Sequence, residues 1–418
     1  KKYKVIIKSL LCLQKKIMLR WIFIIIFFSV FEFYAFQAIK TITNNRSILL
    51  VYFLIVALIL GNLTYHSLIF DRSIGFTHYF GYALGLFLSL FVSQLCIISF
   101  LFFEDIYRVI QGIYDYFTYN LTDDFIPERR KFISKIALIT GLIPFSSLIY
   151  GMFYGRYNYK VLKYSLTFDN LPKEFDGFKI TQISDIHCGS FDNKEKVKYG
   201  VDLINEQKSD VILFTGDIVN NKASELIPWI DIFKTLKAPS GKFSILGNHD
   251  YGDYANWKSI KDKEDNFNLL LKSQKEMGFE LLLNQSKYIN KENSKIAIVG
   301  VENWGEGFKK KGDLNLATEK ITKKDFKILL THDPSHWEAE ALNHDKLINL
   351  TLSGHTHGMQ FGIEIPGIIK WSPVKWRYKQ WAGIYNRGKK FLNVNRGFGY
   401  LAYPCLLYTS PSPRDFTE

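Results

Sequence analysis

Read as a pattern of apolar and polar positions, the chain changes character near residue 156. Before it lie four apolar segments, 21–39, 48–68, 76–103 and 133–152. Each approaches or exceeds the ~18–20 residues that a membrane-spanning helix needs. They are apolar all round, whereas a core helix of a soluble domain keeps a polar face. Trp21, Tyr34, Tyr52, Tyr65, Tyr79, Tyr150 and Tyr154 cluster near the segment ends, as interfacial aromatics do. The pattern predicts an α-helical transmembrane region of about four spans, or three if 21–39 lies at the interface. Glu32, His66, His78 and Gln94 are the polar residues in or near these segments. They share no helical face, so they read as helix–helix or interfacial hydrogen-bonding groups before an ion path.

After residue 156 short β-rich runs alternate with helical patterns. Strands are predicted at Phe178–Ser184, Val211–Thr215, Phe243–Leu246, Ile296–Val299, Ile328–Leu330 and Leu350–Leu352. Helices are predicted at Lys194–Gln207, Ser224–Leu236, Phe267–Met277 and Trp337–Asn343. Such alternation predicts an α/β core. Leu281–Ile289 followed by Ser294–Gly300 looks like a hairpin, so part of the sheet is expected to be mixed.

Polar residues of one kind recur just past these strands: Asp185 and His187, Gly216-Asp217, Gly247-Asn248-His249-Asp250, Thr331-His332-Asp333, and Ser353-Gly354-His355-Thr356-His357. Open α/β sheets bind ligands outside the carboxyl ends of their strands. Asp, Asn and His supply oxygen and imidazole ligands to divalent metals, and one carboxylate can bridge a metal pair roughly 3.5–4 Å apart. On an extended strand end, the Asp-x-His and His-x-His spacings point alternate side chains the same way. A single histidine of this kind is most often a structural hydrogen-bonding residue. Seven such ligand candidates in strand-end positions argue for a metal site.

The motifs Asp185-Ile186-His187, Gly216-Asp217, Gly247-Asn248-His249-Asp250, His332 and Gly354-His355-Thr356-His357, in this order and spacing, resemble the calcineurin-like metallophosphoesterase superfamily, in its membrane-attached bacterial branch. The resemblance covers roughly residues 175–400. It implies a four-layer α/β/β/α sandwich with two divalent ions, of which manganese, iron and zinc all suit the donors. It implies that Asp185, His187 and His357 hold one ion, that Asn248, His332 and His355 hold the other, and that Asp217 bridges them. His249 matches the family's catalytic histidine, and Asp250 an acidic residue beside it. The implied reaction is hydrolysis of a phosphoric ester by metal-activated water. One departure stands out: the family often has an acid where this chain has Asn220, in Gly216-Asp217-Ile218-Val219-Asn220. An amide can accept a hydrogen bond from His249 but does not stabilise imidazolium as a carboxylate does.

Charge adds less than its size promises. The formal net charge is +13, from 53 Lys and Arg against 40 Asp and Glu. Residues 1–17 carry six lysines and read either as upstream non-native sequence before Met18 or as a basic tail. Residues 405–418 resemble a translated sequencing adapter and are set aside, with a native final strand expected to be missing. Discounting those six lysines and the one net negative charge of 405–418 leaves +8. That suits an anionic membrane and a phosphate ester, and weakens a nucleic-acid reading. The expected organisation is a transmembrane region over 18–155 and a catalytic domain over 156–404. Arg129 and Arg130, before the last apolar segment, resemble a twin-arginine export signal or an ordinary positive-inside anchor. Both readings put the catalytic domain on the exported side, whereas a genuine basic tail over 1–17 would hold the N-terminus inside and, with four spans, return the domain to the cytoplasm.

Smaller features have readings of their own. The segment 369–381 is basic and aromatic: an anionic-lipid contact, a packing loop and a nucleic-acid contact are the readings, in falling order. His336 and His344 read as solvent-exposed, Cys188 as a small filler, and Glu302-Asn303-Trp304 and Met359-Gln360 as cleft lining. Four cysteines exclude a disulfide scaffold. Three functions stay open: a membrane-anchored phosphodiesterase or pyrophosphatase on a lipid-linked or nucleotide-linked substrate, a tethered phosphoesterase on soluble substrates, and a non-catalytic scaffold.

Overall fold

The computed structural model describes residues 23, 26–71, 75, 77–118, 127–365 and 368–408. Residues 1–17 and 409–418 of the two expected tails lie outside that set. The chain divides into two compact units, 1–65 with 83–149, and 66–82 with 150–418.

The first unit is helical. Residues 26–42 form α1, followed by α2 (Arg46–Leu68), α3 (His78–Thr118) and α4 (Pro127–Phe153). Among the described residues three helices are long and apolar enough to cross a membrane, Arg46–Leu68, His78–Thr118 and Glu128–Phe153. α3 runs 15 residues past the apolar segment that predicts it. Asn45 starts α2 by accepting from the Ser47 amide at 2.9 Å, which satisfies an otherwise orphaned donor. Gln94 donates to the Glu32 carboxylate and to Tyr52 Oη, so these polar groups form a helix–helix cluster. Arg129 and Arg130 both contact Glu104, and Arg130 is 2.7 Å from Asp105, tying the start of α4 to α3.

The second unit is built on two sheets. One is parallel, in the order β1 (Ile180–Ile183), β2 (Val211–Phe214), β3 (Lys242–Ser244), β4 (Glu280–Leu281). The other is mixed: β11 (Gly383–Arg387), β12 (Lys390–Val394), β8 (Leu350–Ser353), β7 (Phe326–Leu330), β6 (Ser294–Gly300), β5 (Gln285–Lys291). Within it β6, β7, β8 and β12 run parallel. A smaller sheet joins β10 (Ile369–Trp371), β9 (Phe361–Ile365) and β13 (Leu407–Tyr408).

The central strands are apolar on both faces because both are covered. Leu213, Ile245, Ile298, Ile328 and Leu352 pack between the sheets. Phe214, Val197, Phe233 and Leu270 form a core on the outer face of the first sheet, with α5 (Lys194–Glu206) and α7 (Ile260–Glu276). Val299, Leu329, Trp337 and Leu314 do the same for the second, with α8 (Leu314–Thr318) and α9 (Ser335–Ala339). These are the four expected layers.

The helical expectations fail where backbone chemistry overrides periodicity. Ser224–Leu236 is a 3₁₀ segment, Ala223–Trp229, followed by the short α6 (Ile230–Phe233). Pro228 has no N–H for an α-helical ladder. α7 begins seven residues before the apolar pattern does, because Ser259 caps a polar first turn by accepting from the Asp262 amide at 3.1 Å. Trp337–Asn343 splits into α9 and a 3₁₀ turn.

Leu213 is fully buried between the sheets. Leu213→Ala is expected to lower the unfolding free energy of this domain by about 2–5 kcal/mol. Tyr199→Ala, at an exposed position on α5, is expected to stay within about 0.5 kcal/mol. Denaturant titration followed by near-UV circular dichroism measures both.

Candidate metal centre

The parallel strands deliver their carboxyl ends to one edge. Asp185 follows β1, Asp217 follows β2, Asn248 and His249 follow β3, His332 follows β7, and His355 and His357 follow β8. The loops are stitched by main-chain hydrogen bonds: Asp185 N to Gly216 O at 2.9 Å, His187 N to Asp217 O at 3.2 Å, Gly354 N to His332 O at 2.9 Å.

The extended-strand account of the Asp-x-His spacing is wrong. Asp185, His187, Asp217, His355 and His357 all lie in the left-handed region, with φ of 49°, 46°, 59°, 71° and 47°. Each such non-glycine residue costs about 1–2 kcal/mol. Convergence comes from sharp turns, and neighbouring glycines make room for them. A Cβ on Gly354 would strike Ser184 Oγ and Asp185 Oδ2, and one on Gly247 would strike Asp217 Oδ1.

Two groups of side chains result. Donor atoms of Asp185, His187 and His357 lie within 4.8 Å of one another, and so do those of Asp217, His332 and His355. His357 Nε2 is 3.1 Å from Asp185 Oδ1. Asp217 Oδ2 faces both groups, 3.6 Å from His187 Nε2 and 3.1 Å from His332 Nε2. Asn248 Oδ1 lies 2.9 Å from His355 Nδ1, which puts it beside the second group. All seven predicted donors are therefore brought together.

Their protonation shows what the site lacks within the protein. His332 Nδ1 lies 2.8 Å from Thr215 O, and His187 Nδ1 lies 3.1 Å from Val219 O. A carbonyl only accepts, so each Nδ1 carries the proton and a neutral ring turns an Nε2 lone pair toward Asp217. Both Nε2 atoms are buried, and in the neutral ring neither has a hydrogen to donate to Asp217. Lone pair facing carboxylate repels unless a cation or proton lies between. Burial depresses His332, but the Asp217 carboxylate outweighs it and lifts the ring to about 10. Burial and the His357 ring push His187 down to about 3, and burial pushes His355 down to about 4. Asp185 and Asp217 resist the upward push of burial and are held below the carboxylate range by imidazoles. Neither pairs with Lys or Arg among the described residues. This donor set fits divalent cations.

His249 and Asp250 part company. The His249 amide donates to Asp217 Oδ1 at 2.8 Å, and its Nδ1 lies 2.6 Å from the main-chain carbonyl of Asn220. The Asn220 side chain turns away and donates to Ser190 Oγ at 2.9 Å. The sequence departure at 220 is thus bypassed by the backbone. Asp250 is wholly buried, and its carboxylate accepts from the amides of Gly247, Asp217, Ile218 and Val219 at 2.8–3.5 Å. Those bonds leave it holding two loops in place.

Comparison with known proteins agrees with this geometry. Residues 178–359 match the calcineurin-like phosphoesterase family model, and 19–156 match one described as a probable calcineurin-like phosphoesterase transmembrane domain. The chain is 31% identical over 303 residues to the uncharacterized metallophosphoesterase YkuE of Bacillus subtilis, covering 69% of this chain and 96% of that protein. It belongs to the calcineurin-like metallophosphoesterase family. A transmembrane protein with metallophosphoesterase domain from Danio rerio is 29% identical over 269 residues, covering 61% of this chain and 56% of its own. Among solved structures, the phosphopantetheinyl hydrolase of Mycobacterium tuberculosis aligns at 12% identity and a TM-score of 0.32, over 55% of this chain and 91% of that one.

Around this metallophosphoesterase centre stand residues that sequence reasoning missed. Tyr378 Oη is 2.8 Å from His355 Nε2 and donates to Asp333 Oδ2 at 3.2 Å. Asp333 lies beside His332, a placement that gave a signal; Tyr378 is hidden in the basic aromatic run. Tyr254 accepts from Asn248 Nδ2 at 3.0 Å and its ring lies 4.5 Å from that of His249. Three smaller readings change. His336 is fully buried, bonded to Thr331 and stacked on Trp304, so it is not solvent-exposed. Asn303 and Trp304 are buried, while Glu302 braces Tyr251 and Asn284. Gln360 is buried and bonded to Leu401 and Tyr403. Cys188 is buried and its thiol is pushed up, consistent with a filler.

Asp250→Ala strands four amides, each costing about 1–3 kcal/mol when buried unpaired. It is expected to destabilise the domain by at least about 3 kcal/mol in denaturant titration. Asn220→Ala leaves the carbonyl under His249 in place, so phosphoesterase turnover is expected to stay within about fivefold, an effect near 1 kcal/mol.

Proposed function

We propose that this membrane metallophosphoesterase hydrolyses a phosphodiester or pyrophosphate bond with two divalent ions, on a lipid-linked or nucleotide-linked substrate. The observation that carries the reading is the pair of buried carboxylates, Asp185 and Asp217, facing four imidazoles with no Lys or Arg among the described residues to neutralise them. Asp185, His187 and His357 would hold one ion, and Asn248, His332 and His355 the second, with Asp217 shared. Divalent ions in such sites acidify water and polarise phosphoryl oxygens.

The protein's own groups orient the reaction. The carbonyls of Val219 and Thr215 fix the rings of His187 and His332 so that both Nε2 atoms face inward. The Asn220 carbonyl holds the Nδ1 proton of His249, leaving Nε2 as the group that meets the phosphoryl oxygens or leaving group. A carbonyl acceptor orients a neutral ring without favouring imidazolium as a carboxylate would. His249 therefore serves foremost in positioning and hydrogen bonding. We place the catalytic domain on the exported side, from the charges that flank the spans.

The full-length protein, stripped with chelator, is expected to lose hydrolysis of bis-p-nitrophenyl phosphate and regain it with manganese. Asp217→Asn is expected to reduce kcat by about a thousandfold or more, near 4 kcal/mol, and His249→Ala by about 10²–10⁴. Faster turnover of a lipid pyrophosphate than of soluble nucleotides supports the lipid-linked substrate, and the reverse supports a tethered enzyme on soluble esters. Undiminished cellular function in Asp217→Asn would favour a scaffold.

A further inference from the structure

The β9–β10 hairpin is inside out. Its register pairs Ile365 with Ile369, Glu364 with Lys370 and Ile363 with Trp371. Alternate residues face opposite ways, so one face carries Ile363, Ile365, Ile369 and Trp371 and the other carries Glu364 and Lys370. The polar face is the buried one: Glu364 is 7% exposed and bonded to Arg396 at 2.5 Å. Lys370 donates to Ala382 O at 2.7 Å. The apolar face looks outward. Ile368, beside the turn, is 80% exposed, and Trp376, whose ring stands 6.1 Å from that of Trp371, is 83% exposed.

Isolated exposed apolar residues need no explanation, but a contiguous face with its charges turned inward does. Cations flank it. Lys375, Arg377 and Lys379 are exposed, and residues 368–381 contain no acidic residue. Lys375 and Lys379 form no ion pair among the described residues, and Arg377 is fixed by its bond to Glu306 O at 2.9 Å. Isoleucine and tryptophan beside lysine and arginine match an interface with an apolar interior and an anionic surface.

We propose that this face of the catalytic domain docks on an anionic lipid surface, as a membrane contact separate from the spanning helices. Ile368 and Trp376 enter the headgroup region while Lys375 and Lys379 meet lipid phosphates. The contact lies on the segment that carries Tyr378, whose hydroxyl touches His355. The inference rests on surface chemistry and not on the hydrolytic reading, so either can fail alone.

The test uses the full-length chain reconstituted in vesicles of acyl-brominated phosphatidylcholine, with or without about 30 mol% phosphatidylglycerol. Subtracting the emission of a Trp376→Phe variant isolates Trp376 from the other tryptophans. That emission is expected to be quenched by at least half in the anionic vesicles, and to recover in Lys375→Gln/Lys379→Gln or in high salt. Unquenched Trp376, or equal quenching without phosphatidylglycerol, overturns the proposal. A Trp376 blue shift in lipid-free detergent that grows with protein concentration would assign the face to a second copy and overturn it equally.

Discussion

Two carboxylates with no Lys or Arg partner among the described residues set the terms for the catalytic domain. Asp185 and Asp217 are essentially inaccessible to water and, among the described residues, are met by imidazoles, main-chain amides and the Ser184 hydroxyl. An isolated ionised carboxylate in such surroundings is costly, and the usual remedy is an arginine or lysine. Here the remedy has to come from outside the chain or from protons on the rings. The imidazoles that the Asp217 and Asp185 carboxylates face are therefore answers to one charge problem. A proton on His332 and a divalent ion beside it are alternative solutions to the same repulsion.

The backbone is bent to keep that problem in place. Five residues of the cluster adopt left-handed conformations that their side chains disfavour. Such strain persists only where the surroundings leave no alternative. The surroundings here are a packed inter-sheet core beneath, glycines that let loops touch, and two carboxylates that gather amides. Asp250 gathers those of the Gly216-Asp217 and Gly247-Asn248 loops, and Glu225 gathers those of Asn220, Asn221 and Lys222. Glu225 gave no sequence signal, because a carboxylate that serves loop amides has no fixed spacing from them.

Much of the site was nonetheless legible. Short apolar runs ending in Asp, Asn or His marked the strand ends, and the seven donors do converge. What periodicity could not carry was anything depending on main-chain atoms. The acceptor for His249 was sought in the side chain at 220 and is the carbonyl of the same residue. His336 looked exposed because its neighbours in sequence are charged, yet it faces Trp304. Pro228 and the Ser259 cap redrew helices for the same reason. Tyr378 reaches His355 across 23 residues that include the β9–β10 hairpin, a separation in sequence that no motif spans.

The β9–β10 hairpin shows the limit from the other side. Its sequence alternates apolar residues with Glu364 and Lys370, a pattern that in an ordinary amphipathic strand pair turns the isoleucines inward. Arg396 reverses that preference. A half-buried cation beside Trp381 draws Glu364 in, since a partly desolvated guanidinium is costly without a carboxylate. Period-two geometry then sends Ile363 and Ile365 outward together. The exposure of that apolar face thus follows from an ion pair on the opposite one, and the pair's stability becomes a condition for any surface that the domain presents.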